Sequence, residues 1–401
     1  MSSRSIPEEA IEEILSRLPA RTLIRFRRVC KPWLHLLTNP TFIQHHLNKV
    51  KTNPIPNSSL ILDTTLPENS MLTLHVHDRL ASPALLHHPF PARSTLVSSV
   101  DGLVCLCHDD QFILWNPATK LYKCVLDPII HAGASFTRRV AVGFGHDPVR
   151  NDYSVVSVLK NPQLVQVYSL NLNTWREIGT QVDVLRASDS WWRESQAVVN
   201  GVFYWIVTTT NRRGWDVCLF SFDLCNEAIR RARLPDIGDI LGSDVVLGDH
   251  KESLALIKHC RDENCFDLWV MDDCDGGEDA WSKKYTFIPI LPVEEGDLIG
   301  CLMNGEIVFR DKKDTLFLFN TENPETWILS LDGVVIAILD CTESLLHIKG
   351  AKQLETDAAG KGNRMRYSHY VPCNQFTSYN NECVAFEASL IYIFVVVLML
   401  L

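Results

Sequence analysis

The residues best suited to chemistry are few and loosely placed. His259, Cys260 and Cys265 stand together in "HCRDENC", with Cys274 further on. Imidazole and thiolate are ligands that zinc prefers, but structural zinc sites pair their cysteines about two to four residues apart, and this spacing is looser. No metal or cofactor is expected. "DDCDGGED" (Asp272 to Asp279) gathers carboxylates around glycines without the ligand spacing of a calcium loop, so it reads as a solvated hairpin loop. Gly143 and Gly145 in "VGFGHDP" give two glycines of a dinucleotide fingerprint but no third and no following helix, and read as a blade turn. Neither a nucleophile elbow, a phosphate-binding Gly-Lys-Ser/Thr loop nor a His-Glu-x-x-His helix is present, so no catalytic residue is expected. Trp191, Trp192 and Arg193 are weak candidates for binding a target, because aromatic and Arg side chains dominate binding hot spots.

The elements that would have to position such residues change character along the chain. The first 50 residues are helical in pattern. Ser5 and Glu8 have the spacing of a capping box. Ile11, Ile14, Leu15 and Leu18 follow at helical intervals on one face. Pro19 stops that helix and a second begins near Ala20 with Leu23, Phe26 and Cys30 on one face. Pro32 interrupts again before Trp33, Leu36 and Leu37, and Pro40 is well placed to open a last helix in "NPTFIQHHL". So small a module is marginal alone. The residues leave two covers for its apolar excess, the downstream body or a helix-rich partner.

This stretch resembles the F-box. The motif residues are Ile6-Pro7, Ile14-Leu15-Ser16-Arg17-Leu18-Pro19, Leu23-Ile24-Arg25-Phe26 and Val29-Cys30-Lys31-Pro32-Trp33. Ile6 in place of the usual leading Leu is the main departure. The resemblance implies binding to a Skp1-type adaptor and, through it, a cullin–RING ubiquitin ligase. Adaptor-facing residues should then be among Ile6, Pro7, Ile11, Ile14, Leu15, Leu18, Pro19, Leu23, Val29 and Trp33. Some of these must instead form the module's own core, for which Phe26 and Cys30 are the first choices.

From residue 58 the periodicity becomes that of short strands bounded by turn residues. Similar segments centre on Leu62, Trp115, Tyr168, Ser221, Trp269 and Phe319, at separations of 53, 53, 53, 48 and 50 residues. A four-stranded unit at about that period is the mark of a kelch-like β-propeller. Six blades are favoured, with seven if "GVVIAILDCTESLLHI" contributes strands to closure. Segments such as "SSVDGLVCL", "LWNPATK" and "VVNGVFYWIV" resemble the F-box-associated domain of a large plant family that includes the S-locus-type F-box proteins. In that family the domain recruits the substrate. The fold class expected is therefore α+β and multidomain, a helical F-box (5–50) followed by an all-β propeller (58–350). A polar loop or disordered linker (351–387) comes next, then an apolar tail (388–401) that reads as a short anchor, a buried strand or an extension outside the family fold. The tail is short for a bilayer span, so membrane contact is expected only if it inserts.

Charge and cysteines bound the partners. The net charge of −10 argues against a nucleic-acid binder, yet residues 1–50 hold eight Lys/Arg against four Asp/Glu. A basic module on an acidic body suits an acidic partner, through encounter rate. The basic run "RFRRVCK" lacks the aromatic interleaving of a nucleic-acid site and reads as a solvated or steering face. The thirteen cysteines are odd in number and scattered, some at alternating apolar positions such as Cys105 and Cys107. They read as reduced thiols of a cytoplasmic or nuclear protein. The resemblance implies the substrate-recognition subunit of a Skp1–cullin–F-box ubiquitin ligase, itself without catalysis. Its rivals are a propeller enzyme or carbohydrate-binding protein with an unrelated helical cap, and an F-box scaffold acting outside a ligase.

Overall fold

A computed structural model describes residues 7–354 apart from 53–57, 66–69, 77–83, 86–89, 91–93, 132–138, 161–163, 180–190, 212–213, 239–243, 273–279, 289–295, 303–304, 321–325 and 330–333. Ser5, Ile6, Cys274, most of the acidic loop and the tail 388–401 lie outside the described residues. No described helix is long and apolar enough to cross a membrane.

Four helices open the chain: α1 (Glu8–Leu15), α2 (Ala20–Phe26), α3 (Lys31–Thr38) and α4 (Pro40–Thr52). Prolines set where they begin. Pro7 and Pro19 are the N-cap residues of α1 and α2, Pro32 lies in the first turn of α3, and Pro40 starts α4. The first turn has no intrahelical use for an N–H, so proline is tolerated there. α1 begins at Glu8 with Pro7 as its N-cap and no side-chain cap hydrogen bond, and the Ser5 of the expected capping box lies outside the described residues. One expectation is corrected. Pro32 opens a helix and does not interrupt one.

The remainder forms six sheets among the described residues. The first blade contains β1 (Ser58–Thr65), β2 (Ser70–Val76) and β3 (Ala84–Leu85). The second contains β4 (Thr95–Val100), β5 (Leu103–His108), β6 (Gln111–Asn116) and β7 (Leu121–Leu126). The third contains β8 (Arg139–Asp147), β9 (Asp152–Leu159), β10 (Leu164–Ser169) and β11 (Thr174–Gly179). The fourth runs through β12 (Trp191–Val199), β13 (Val202–Asn211), β14 (Gly214–Asp223) and β15 (Ala228–Arg233). The fifth holds β16 (Val245–His250), β17 (Ser253–Cys260), β18 (Cys265–Met271) and β19 (Trp281–Phe287). The sixth holds β20 (Gly296–Cys301), β21 (Glu306–Asp311), β22 (Leu316–Asn320) and β23 (Thr326–Leu329). Two late strands fold back. β24 (Val334–Thr342) pairs with β1, and β25 (Lys352–Gln353) with β7.

The ring closes through β24. It runs antiparallel to β1 from Ser58↔Thr342 to Thr65↔Val334 and becomes the inner strand of the first blade. Inner strands β4, β8, β12, β16, β20 and β24 follow one another around the axis. "GVVIAILDCTESLLHI" thus does contribute a strand to closure, but it completes the first blade and, among the described residues, makes no seventh sheet. The repeat centres from Trp115 to Phe319 all fall on third strands. Leu62 falls on a second strand, because the first blade borrows its inner strand from the far end of the chain. The domain also extends past 350, with Leu354 packed beside Trp115 and Tyr122.

Blade faces are covered by neighbouring blades. Val156, Val158, Val165 and Val167 of the third meet Phe203, Trp205, Phe220 and Phe222 of the fourth. Gly143 and Gly145 lie in strand β8, not in a turn. A Cβ on Gly143 would stand 2.3 Å from the Phe203 ring and one on Gly145 2.9 Å. These glycines admit an aromatic ring from the next blade and have nothing to do with phosphate. A tryptophan stitch recurs outside the core: Trp175 Nε1 donates to Leu126 O at 2.8 Å and Trp281 Nε1 to Arg233 O at 3.0 Å, each reaching the preceding blade.

Candidate protein-interaction site

Antiparallel pairing puts the turns after the first and third strands of a blade at one end of the ring and the turn after the second at the other. The helical module sits on the first end. Its core, Leu15, Ala20, Leu23, Phe26, Leu37, Phe42 and Ile43, closes over Leu345 of the propeller, with Ala118 and Leu346 at the margin. Arg21 pairs with Glu343 at 2.7 Å and Lys51 with Asp101 at 2.6 Å. The floor under the module is held by Asn116 of "LWNPATK", which is fully buried. Its amide donates to Ser344 O at 3.2 Å and Leu346 O at 3.0 Å, while its Oδ1 accepts from the N–H groups of Ala118 and Thr119. The neighbouring Asp101-Gly102 turn has positive φ at both residues, and a Cβ on Gly102 would stand 2.3 Å from Thr342 O.

Within the module, α4 is tied to α1 by polar contacts. Lys49 Nζ donates to Glu13 Oε2 at 2.5 Å and to Ser16 Oγ at 2.8 Å, and Arg17 adds a contact to Glu13 at 2.7 Å. These cations, Lys49 first, hold the Glu13 carboxyl down to about 2. His46 is buried and donates Nε2–H to Leu18 O at 2.9 Å, and burial lowers its pKa.

The residues expected to face an adaptor separate into three groups. Leu15 and Leu23 are enclosed in the module core and present nothing outward. Ile11, Ile14, Leu18 and Trp33 are half-buried, Trp33 with its ring 5.3 Å from that of Phe26. Pro7, Pro19 and Val29 are exposed, Val29 at 46%. Phe26 is a core residue as expected. Cys30 is not, since it precedes α3 as an extended, exposed N-cap residue. Sequence reasoning missed Leu34, 42% exposed on α3. Its signal was available: Leu34 is apolar yet lies off the Trp33–Leu37 stripe. Arg27 of the basic run is half-buried and donates to Leu37 O at 3.2 Å, whereas Arg25, Arg28 and Lys31 are exposed. The product is an outward surface of Val29, Cys30, Pro32 and Leu34 beside basic side chains.

The other end of the ring carries the second-strand turns. Strand β12, with Trp191, Trp192 and Arg193 at its start, begins there as an inner strand, and a register shift separates Trp192 from Gln196. The structure thus brings these candidates to the end away from the helices. The cysteines divide: Cys105, Cys218, Cys265 and Cys341 are buried, while Cys30 and Cys124 are exposed.

Residues 62–327 match the F-box associated beta propeller domain, and residues 4–45 the F-box domain. An F-box/kelch-repeat protein of Arabidopsis thaliana is 26% identical over 346 residues, covering 80% of this chain and 89% of its own length. The F-box protein CPR1 of the same plant is 25% identical over 402 residues, covering 90% and 92%.

Proposed function

Because this chain belongs to the plant F-box proteins that carry an F-box-associated β-propeller, we propose that it is the substrate receptor of a Skp1–cullin–F-box ubiquitin ligase. The observation that carries the reading is the division of apolar residues in the helical module. Its core is satisfied internally and by Leu345, yet Val29 and Leu34 remain outside with Cys30 and Pro32. Such a surface is covered when a Skp1-type adaptor docks, and Arg25, Arg28 and Lys31 steer an acidic one toward it. The target protein binds at the opposite end of the ring, where Trp191 and Trp192 enter the inner strand β12. The receptor performs no covalent step. It raises the local concentration of target lysines near a charged ubiquitin-conjugating enzyme.

The test is capture of the full chain by purified Skp1-type adaptor, with and without cullin. Wild type is expected to be held, and the Val29→Asp, Leu34→Asp double variant lost while its melting transition is kept. A folded wild type that captures no adaptor overturns the reading. Adaptor binding that excludes cullin would move the protein to a role outside a ligase.

A further inference from the structure

Two thiols and a carboxylate converge at the end of the fifth blade away from the helices. Cys260 closes β17 and Cys265 opens β18, and the two are register partners across the hairpin. Directly opposed residues leave the same face of a sheet, and Asp267, two residues along, shares it. The two Sγ atoms and a carboxylate oxygen of Asp267 lie within 4.8 Å of one another. Cys260 Sγ is 3.5 Å from Asp267 Oδ2, and Cys265 Sγ is 3.6 Å from Glu263 Oε2 in the intervening turn. With Zn–S near 2.3 Å and Zn–O near 2.1 Å, a sulfur and an oxygen of a tetrahedral site stand about 3.6 Å apart. The Cys260–Asp267 separation therefore already has the length of a ligand edge.

We propose that Cys260, Cys265 and Asp267 form a zinc site, with solvent as the fourth ligand, that ties the β17–β18 hairpin at the end of the propeller away from the helices. Thiols select zinc over magnesium or calcium, which take oxygen ligands. The surroundings suit a metal ligand. Thr286 Oγ1 donates to Asp267 Oδ1 at 2.6 Å, which orients the carboxylate and leaves Oδ2 for the ion. Lys283 Nζ occupies Oδ2 at 2.8 Å, but its side chain is 42% exposed and swings to solvent when a dication arrives. Without a cation both residues are thiols, since a free cysteine is largely protonated at neutral pH. On binding, two S–H bonds break, two S–Zn bonds form, and two protons leave to solvent with no change of oxidation state. His259 takes no part, because it leaves the other face of the hairpin, its ring 4.7 Å from that of Phe266 and 5.1 Å from that of Phe309 in the sixth blade.

The test uses the full chain under a non-thiol reductant, with zinc competed against a chromophoric chelator and cobalt as the spectroscopic probe. One zinc per chain is expected, with two protons released and a sulfur-to-cobalt charge-transfer band. Cys260→Ser and Cys265→Ser should each weaken binding by about 100-fold or more, and Asp267→Asn by about 10–100-fold. Cys124→Ser, at an exposed cysteine elsewhere, should change nothing. Failure to bind zinc stoichiometrically, a cobalt complex without the charge-transfer band, or affinity undiminished in Cys260→Ser overturns the site. If the serine variants melt early, the band and the proton count of wild type decide.

Discussion

A leucine's depth decides what its loss means. Leu23 is fully enclosed between helices, so Leu23→Ala should destabilise the module by about 2–5 kcal/mol through transfer and cavity terms. Chemical denaturation would show it. Leu34 is on the surface, and Leu34→Asp should alter stability by no more than about 0.5 kcal/mol while removing adaptor capture. His259 is the other instructive residue. Its ring is buried between Phe266 and Phe309, and neither nitrogen has a hydrogen-bond partner. Burial lowers its pKa, so the native state holds it neutral while the unfolded chain protonates below about 6.5. Stability from this group is complete above that pH and is lost as pH falls below it; buried His46 acts in the same direction. His259→Phe should raise stability at neutral pH by about 1–2 kcal/mol and flatten its decline between about pH 6.5 and 5. Melting curves across that range check both signs.

At the scale of elements, the turns and stitches between blades carry the argument. Asp101-Gly102 is a two-residue hairpin turn with both φ positive, and Thr342 O crosses directly beside it. Gly102→Ala forces a side chain into that backbone and should cost about 1–3 kcal/mol, visible as an earlier melting transition. The same turn anchors Lys51 through Asp101, so the variant should also weaken the seat of α4. Trp175 offers a contrast. Trp175→Phe keeps most of the ring contact with Phe112 and Tyr168 but removes the bond to Leu126 O, for about 1 kcal/mol.

At the scale of the whole molecule, closure and seating depend on the same short stretch of chain. β24 completes the first blade, and residues 343–346 then form the floor beneath the helices. A chain ended after residue 333 loses the inner strand of one blade and the floor together. It should lose cooperative unfolding and adaptor binding. A chain ended after Leu354 keeps every described strand and should retain both. Circular dichroism melts and adaptor capture distinguish the two truncations. This arrangement also fixes direction, with the helical module at one end of the ring and the Cys260–Cys265 hairpin at the other.

Much of this was legible in the residues. Helical spacing in Ile11–Leu18, Pro40 at the start of the last helix and a repeat of about fifty residues are local signals, set by backbone geometry and periodic burial. So the helical module, the ring and its favoured six blades could be read before any coordinate. What remained depended on contacts distant in sequence. Nothing around Asn116 announces that its amide holds residues 344–346, and Gly143 shows its purpose only when Phe203 arrives from the next blade. Leu15 and Leu18 look alike on a helical stripe; whether each faces the core or a partner follows from how α4 and Leu345 cover them. Cys260, Cys265 and Asp267 were loosely spaced in sequence and became neighbours only through a hairpin register. The sequence determined which elements form because those choices are local. The tertiary structure decided which side chains meet, because antiparallel pairing and ring closure join residues that the chain itself keeps apart.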